Sequence, residues 1–111
     1  MARINYLPLG SVVLLNDGSQ KLIIIGRALN VTRGGVQFYF DYGGVLYPQG
    51  LINSEMAYFN HDDISRVYFT GYNDEGSRDL TEVINDYVEK HPDLHRGTAA
   101  EWQAAGEAEG Q

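Results

Sequence analysis

The hydrophobic period of this chain changes once along its length, and that change limits what it can fold into. In "VQFYFDY" (36–42), Val36, Phe38 and Phe40 alternate with Gln37, Tyr39 and Asp41. That period of two marks a strand with one buried face. In "DLTEVINDYVEKH" (79–91), the apolar residues are Leu80, Val83, Ile84, Tyr87 and Val88, at offsets of three and four. Those offsets mark one stripe of a helix. A β-rich front therefore precedes a helical back.

The front divides into short strands and turns. "SVVLLND" (11–17) and "KLIIIGRAL" (21–29) flank the turn chemistry of "DGSQ" and predict a hairpin. Gly26 interrupts the second strand, which predicts a bulge or tight bend. "NVTRGG" (30–35) reads as a loop, and Gly43-Gly44 as a kinked junction between "VQFYFDY" and "VLYP". "MAYFNHDDI" leads to the last strand, "SRVYFTGY" (65–72), with a one-turn helix near "NHDDI" started by Asn60 or Asp62. Asp79 and Glu82 fit a capping box for the helix, and Pro92 ends it.

These features predict a mainly β, α+β domain. The expected form is a small, strongly bent SH3-like barrel of about five antiparallel strands, followed by one C-terminal amphipathic helix. An open antiparallel sheet with the helix on one face is the alternative. The expected division is residues 1–73 for the β unit, 74–92 for a helix packed on it or swapped onto a second chain, and 93–111 for the tail. That tail, "RGTAAEWQAAGEAEGQ" and its lead-in, is rich in Ala, Gly and Glu, so a mobile tail or weak helix is expected, with Trp102 an isolated aromatic. At 111 residues, one core is all the chain can bury.

Charge and composition exclude several functions. Residues 1–72 hold five bases and five acids; residues 73–111 hold ten acids and three bases, which accounts for the whole formal charge of −7. Phosphate chains bind clustered Lys and Arg, so no nucleic-acid partner is expected. With no cysteine, thiolate metal sites, thiol nucleophiles and disulfides are excluded. The longest clean apolar run, "LIIIG", is far short of the ~20 residues a membrane span needs, and the start lacks the order of a secretory peptide. A cytoplasmic protein without membrane insertion is expected.

Chemistry is sparse. Gly43-Gly44 passes into another strand with no Lys nearby, which is the wrong context for a phosphate loop. His61, Asp62 and Asp63 could form a small metal-dependent hydrolase site, but metal centres need three or four converging ligands, and His91 and His95 lie in the acidic region. No catalytic residue, metal or cofactor is expected. Protein binding remains, because aromatics alternating off a core face suit strand addition or peptide capture. The contact candidates are Tyr42, Tyr47, Phe59 and His61; Gly10, Gly26, Gly43, Gly44, Pro48 and Gly50 are expected to be structural.

The string "YLPLGSVVLL…KLIIIGRA…FDYGGVLYPQG…YFNHDDISRVYFTGYNDE" resembles the domain-of-unknown-function family 4176, from about residue 6 to residue 76, with the helix to about 91 as a continuation. The matching positions include Gly10, Gly26, Arg27, Asp41, Tyr42, Gly44, Tyr47, Pro48, Gly50, Phe59, Asn60, His61 and Ile64. The resemblance implies small Gram-positive proteins encoded beside type VII secretion genes and their LXG toxins. It further implies a non-enzymatic adaptor or targeting chaperone whose partner is such a toxin or another secretion component. An immunity protein for the toxin is the alternative reading, and self-association is left open.

Overall fold

The computed structural model describes residues 3–109; positions 1–2 and 110–111, assigned above to the ends of the β unit and of the tail, lie outside the described residues. Five strands form one antiparallel sheet: β1 (Val12–Leu15), β2 (Leu22–Arg33), β3 (Val36–Leu46), β4 (Ala57–Phe59) and β5 (Ile64–Phe69). Two helices follow, α1 (Glu75–Lys90) and α2 (Ala99–Glu109). The strand order is β4-β3-β2-β1-β5, so β4 and β5 are edges and the sheet stays open. The alternative layout is thus the observed one, and the SH3-like barrel is corrected. The single expected helix is corrected to two.

The sheet stays open because β4 and β5 pair with β3 and β1 and not with each other, and the β2–β3 hairpin is its longest element. "NVTR" is strand rather than loop, because Arg33 pairs with Val36 and the turn is Gly34-Gly35 alone, at φ +57° and +77°. Two central residues at positive φ make the tight hairpin turn that matches strand twist. The ribbon therefore runs twelve and eleven residues. Gly43-Gly44 is no junction either; both lie inside β3. A Cβ at Gly43 would stand 2.6 Å from Leu29 Cδ1 and 2.7 Å from Met56 Cε, both movable side-chain ends, whereas one at Gly44 would stand 2.8 Å from the Ile23 carbonyl oxygen, so close packing demands the glycine at 44. Gly26 does mark a register shift, between Ile24 and Gly26.

A second irregularity sorts the core. Phe40 pairs with Leu29 and Tyr42 with Arg27, which leaves Asp41 opposite Ala28 at φ +57°. Strict alternation would put Phe40 and Tyr42 on one face. Instead Phe38 and Phe40 join a cluster with Val31, Tyr58, Trp102 and Ala105 from α2. Tyr42 joins Tyr6, Val13, Leu22, Ile24, Phe59 and Ile84 from α1. Each such side chain contributes about 1.5–3 kcal/mol when fully removed from water. The two clusters are therefore the main source of stability.

α1 begins earlier than its apolar stripe. Asp74, not Asp79, is the N-cap, and its carboxylate accepts from Ser77 N at 3.0 Å. The stripe is split: Ile84 is buried and Val88 packs against the core, while Leu80, Val83 and Tyr87 face outward. Asn85 holds the incoming chain, accepting from Ile4 N and donating to Ile4 O, each at 2.8 Å. The tail, expected to be mobile or weakly helical, packs as α2. Trp102 meets Phe38, Phe40 and Tyr58 edge-on, so its reading as an isolated aromatic is corrected.

Candidate functional site

Two places concentrate the chemistry of this chain, one buried and one open. The buried one centres on Asp41, whose side chain is wholly enclosed. Its carboxylate accepts from Tyr6 Oη at 3.2 Å, from His61 N at 2.8 Å and from Arg96 Nη2 at 2.6 Å. The Asp41 amide donates to Asn60 Oδ1 at 3.0 Å, and Asn60 Nδ2 donates to Gly97 O at 2.8 Å. Tyr42 Oη accepts from Leu7 N at 2.9 Å and shares a 2.7 Å hydrogen bond with His61 Nδ1. Four separate stretches of chain are pinned here: residues 6–7, the middle of β3, the turn at 60–63 and residues 96–97.

Burial governs the phenols. It pushes the Tyr42 hydroxyl up to about 12, against the donation from Leu7 N and with the Asp41 carboxylate adding to the rise. Tyr6 is raised further, by burial first and then by Tyr39 and Asp41. Tyr39 is raised by burial, while its hydrogen bond with Tyr6 opposes the rise. Ionising any of these rings inside the domain is costly.

The histidine-aspartate run does not converge. Residues His61–Asp63 form the expected one-turn 3₁₀ helix, with Asn60 at its N-cap. Asp63 Oδ2 accepts from Asn60 N at 2.8 Å, Asp62 is exposed, and the His61 ring turns to Tyr42. Among the described residues, no three His, Asp or Glu side chains stand close enough to hold a metal. The arrangement commits its polar atoms to holding backbone. His61 also borders an open groove of about 400 Å³ lined by Asn5, Leu7, Ile64, Arg66 and Val67.

The contact candidates part company. Tyr42 and Phe59 are core residues, 0% and 1% exposed, which corrects their placement on an outer face. Tyr42 pairs across β3–β4 with Phe59, and their rings lie 5.5 Å apart. His61 is half-buried, and only Tyr47, at 43%, stands well exposed. Among the glycines and proline expected to be structural, Gly44 is buried in β3, Gly10 and Gly50 take positive φ in turns, and Pro48 follows a cis peptide bond.

Tyr47 belongs to the open place. Lys21 Nζ lies 5.9 Å from the Tyr47 ring and 4.5 Å from the Tyr68 ring, and the Arg66 guanidinium lies 4.7 Å from the Tyr68 ring. A row Tyr47–Lys21–Tyr68–Arg66 crosses the β1-β2-β5 end of the sheet. Phe69, 62% exposed, and Ile25, 45%, extend it. Edge strand β5 pairs with β1 alone among the described residues, and five of its six residues are exposed. The contact candidates read from the sequence do not include Tyr68, Phe69, Lys21 or Arg66. The signal was the density of rings in "SRVYFTGY", but a run of that kind reads equally as a covered strand.

No helix among the described residues is long and apolar enough to cross a membrane. No curated protein and no solved structure matches the chain. One family, described as a domain of unknown function (DUF4176), matches residues 6–80, which takes in every strand and the start of α1. With two thirds of its length matched, this chain belongs to the DUF4176 family.

Proposed function

We propose that this protein is a non-enzymatic binding module that holds another polypeptide on the uncovered end of its sheet. The observation behind this reading is the exposed row of Tyr47, Lys21, Tyr68 and Arg66 beside Phe69 on an edge strand. Aromatic rings with one apolar side and one polar tip are favoured where a contact must also survive in water. An unpaired strand edge offers backbone hydrogen bonds to an incoming strand. Lys21 and Arg66 stack on tyrosines and form no ion pair among the described residues, so both remain available to a partner's carboxylates. The acidic α1 favours solubility.

The partner we propose is an LXG-type toxin or another component of a type VII secretion system. It would be met in the cytoplasm before export, with this chain acting as adaptor or targeting chaperone. The test is a pull-down from the native host with tagged full-length protein, read by mass spectrometry, comparing wild type with Tyr68→Ser/Phe69→Ser. Enrichment of a secretion-system toxin that the double variant loses supports the reading. Equal recovery with both baits, or no such protein with either, overturns it. Protection of toxin-producing cells without any effect on export would shift the role from chaperone to immunity.

A further inference from the structure

The C-terminal segment sits on the sheet in the manner of a bound peptide. Residues 95–97 add a short parallel bridge to β3: Tyr39 N donates to His95 O at 2.8 Å and Gly97 N donates to Tyr39 O at 3.0 Å. Arg96 reaches the buried Asp41, and its guanidinium lies 5.6 Å from the Tyr39 ring. Gly97 lies flat on the Phe40 ring, where any Cβ would collide with it. Five residues on, Trp102 fills the slot between Phe38, Phe40 and Tyr58, with Arg33 stacked over it at 4.6 Å and donating to its carbonyl at 3.2 Å. Backbone pairing supplies affinity and spaced side-chain pockets supply selectivity, which is how strand-addition domains capture peptides.

Receptor and occupant also divide along the sequence. Arg33, Phe38, Phe40, Asp41, Tyr58 and Asn60 all fall within the DUF4176 match, while Arg96, Gly97 and Trp102 fall beyond its end at residue 80. The fit of the segment is incomplete, since Arg96 Nη1 is buried with no acceptor among the described residues. The residues between the anchors are mostly exposed.

We infer that the β3–β4 groove is a peptide-binding site for an Arg-Gly segment with an aromatic residue five positions after the glycine, and that residues 95–102 occupy it in cis. This site is separate from the Tyr47–Tyr68 row, so a chain that fails in one can succeed in the other. A partner segment of the same chemistry enters by displacing the cis occupant. Its arginine meets Asp41, its glycine lies on Phe40 and its indole takes the Phe38–Tyr58 slot.

The test uses full-length protein and a fluorescently labelled peptide of residues 93–109, read by anisotropy. Trp102 is the chain's one tryptophan, so its emission reports docking directly. In Gly97→Ala the added methyl expels the segment: Trp102 emission shifts to the red, the far-ultraviolet sheet signal and a cooperative melt persist, and the labelled peptide binds. Wild type, with its groove filled, binds the peptide roughly tenfold or more weakly. A peptide carrying Arg96→Ala binds neither protein. Should Gly97→Ala fail to fold, full-length Arg96→Ala serves the same purpose. Loss of folding in both variants, an unshifted emission, or an undocked tail whose groove takes no peptide each overturns the inference, because the segment is then an inseparable part of the core.

Discussion

The Arg96 guanidinium stands 2.6 Å from the Asp41 carboxylate, which is wholly buried, and this contact joins the C-terminal segment to the middle of β3. Removing one member of a buried pair leaves the other uncompensated, at about 3–5 kcal/mol. Arg96→Met should lose about 3 kcal/mol, because Tyr6 Oη and His61 N still serve the carboxylate. Asp41→Ala should lose more, about 4–5 kcal/mol, since three donors then lack an acceptor. Urea unfolding of both variants measures the order, and a milder Asp41→Ala would contradict the central place given to this carboxylate.

Alkaline pH should weaken the domain through its buried phenols. Tyr42 is raised from 10.0 to about 12 in the folded chain, so its contribution is complete below pH 10 and disappears as pH rises through 12. A tenfold change in proton affinity is worth about 1.4 kcal/mol, so the domain should lose about 2–3 kcal/mol across that window. Tyr6 and Tyr39 are raised in the same direction and add to the decline. Denaturant midpoints measured at about pH 8 and about pH 11.5 should show the fall, and Tyr42→Phe should make it shallower while the part due to Tyr6 and Tyr39 remains.

The two turn glycines should respond unequally to alanine. Both take positive φ, a conformation that costs an L-residue about 1–2 kcal/mol. A Cβ at Gly35 meets nothing within 4 Å, whereas at Gly34 it would lie 2.5 Å from Ala105 O. Gly35→Ala should therefore cost about 1 kcal/mol, and Gly34→Ala about 3 kcal/mol together with a red shift of Trp102 as α2 is pushed away. Equal costs would remove α2 from the turn.

At the start of α1, Asp74→Ala should cost about 1 kcal/mol through loss of the bond to Ser77 N. Asp79→Ala, inside the helix and exposed, should stay within about 0.5 kcal/mol. Thermal melts of the pair distinguish the observed cap from the one suggested by the Asp79–Glu82 pattern.

Tyr68→Ser/Phe69→Ser should change stability by no more than about 1 kcal/mol, because both rings already face water. Partner capture should nevertheless be abolished. A double variant that unfolds would show that the row is structural after all.

The sequence by itself determined the β-rich front, the helix after it, the hairpin of β1 and β2, the bulge at Gly26 and the one-turn helix at His61–Asp63. Each rests on local physics: alternation, helical offsets, turn residues and caps act over a few neighbours. Whether Gly43-Gly44 bends or packs was decided by the Ile23 backbone against Gly44 and by Leu29 and Met56 against Gly43, which only the folded sheet brings alongside. Tyr42 and Tyr68 are both strand tyrosines next to strand neighbours, yet one is buried and the other open, because Tyr6 of the N-terminal segment and Ile84 of α1 pack in one cluster with Tyr42, while Tyr68 stands 42% exposed on an edge strand. Trp102 looked idle in a polar tail because its slot is built from residues some forty to sixty positions earlier. Contacts over such separations set burial, and burial, more than residue type, divides core from contact surface in this chain.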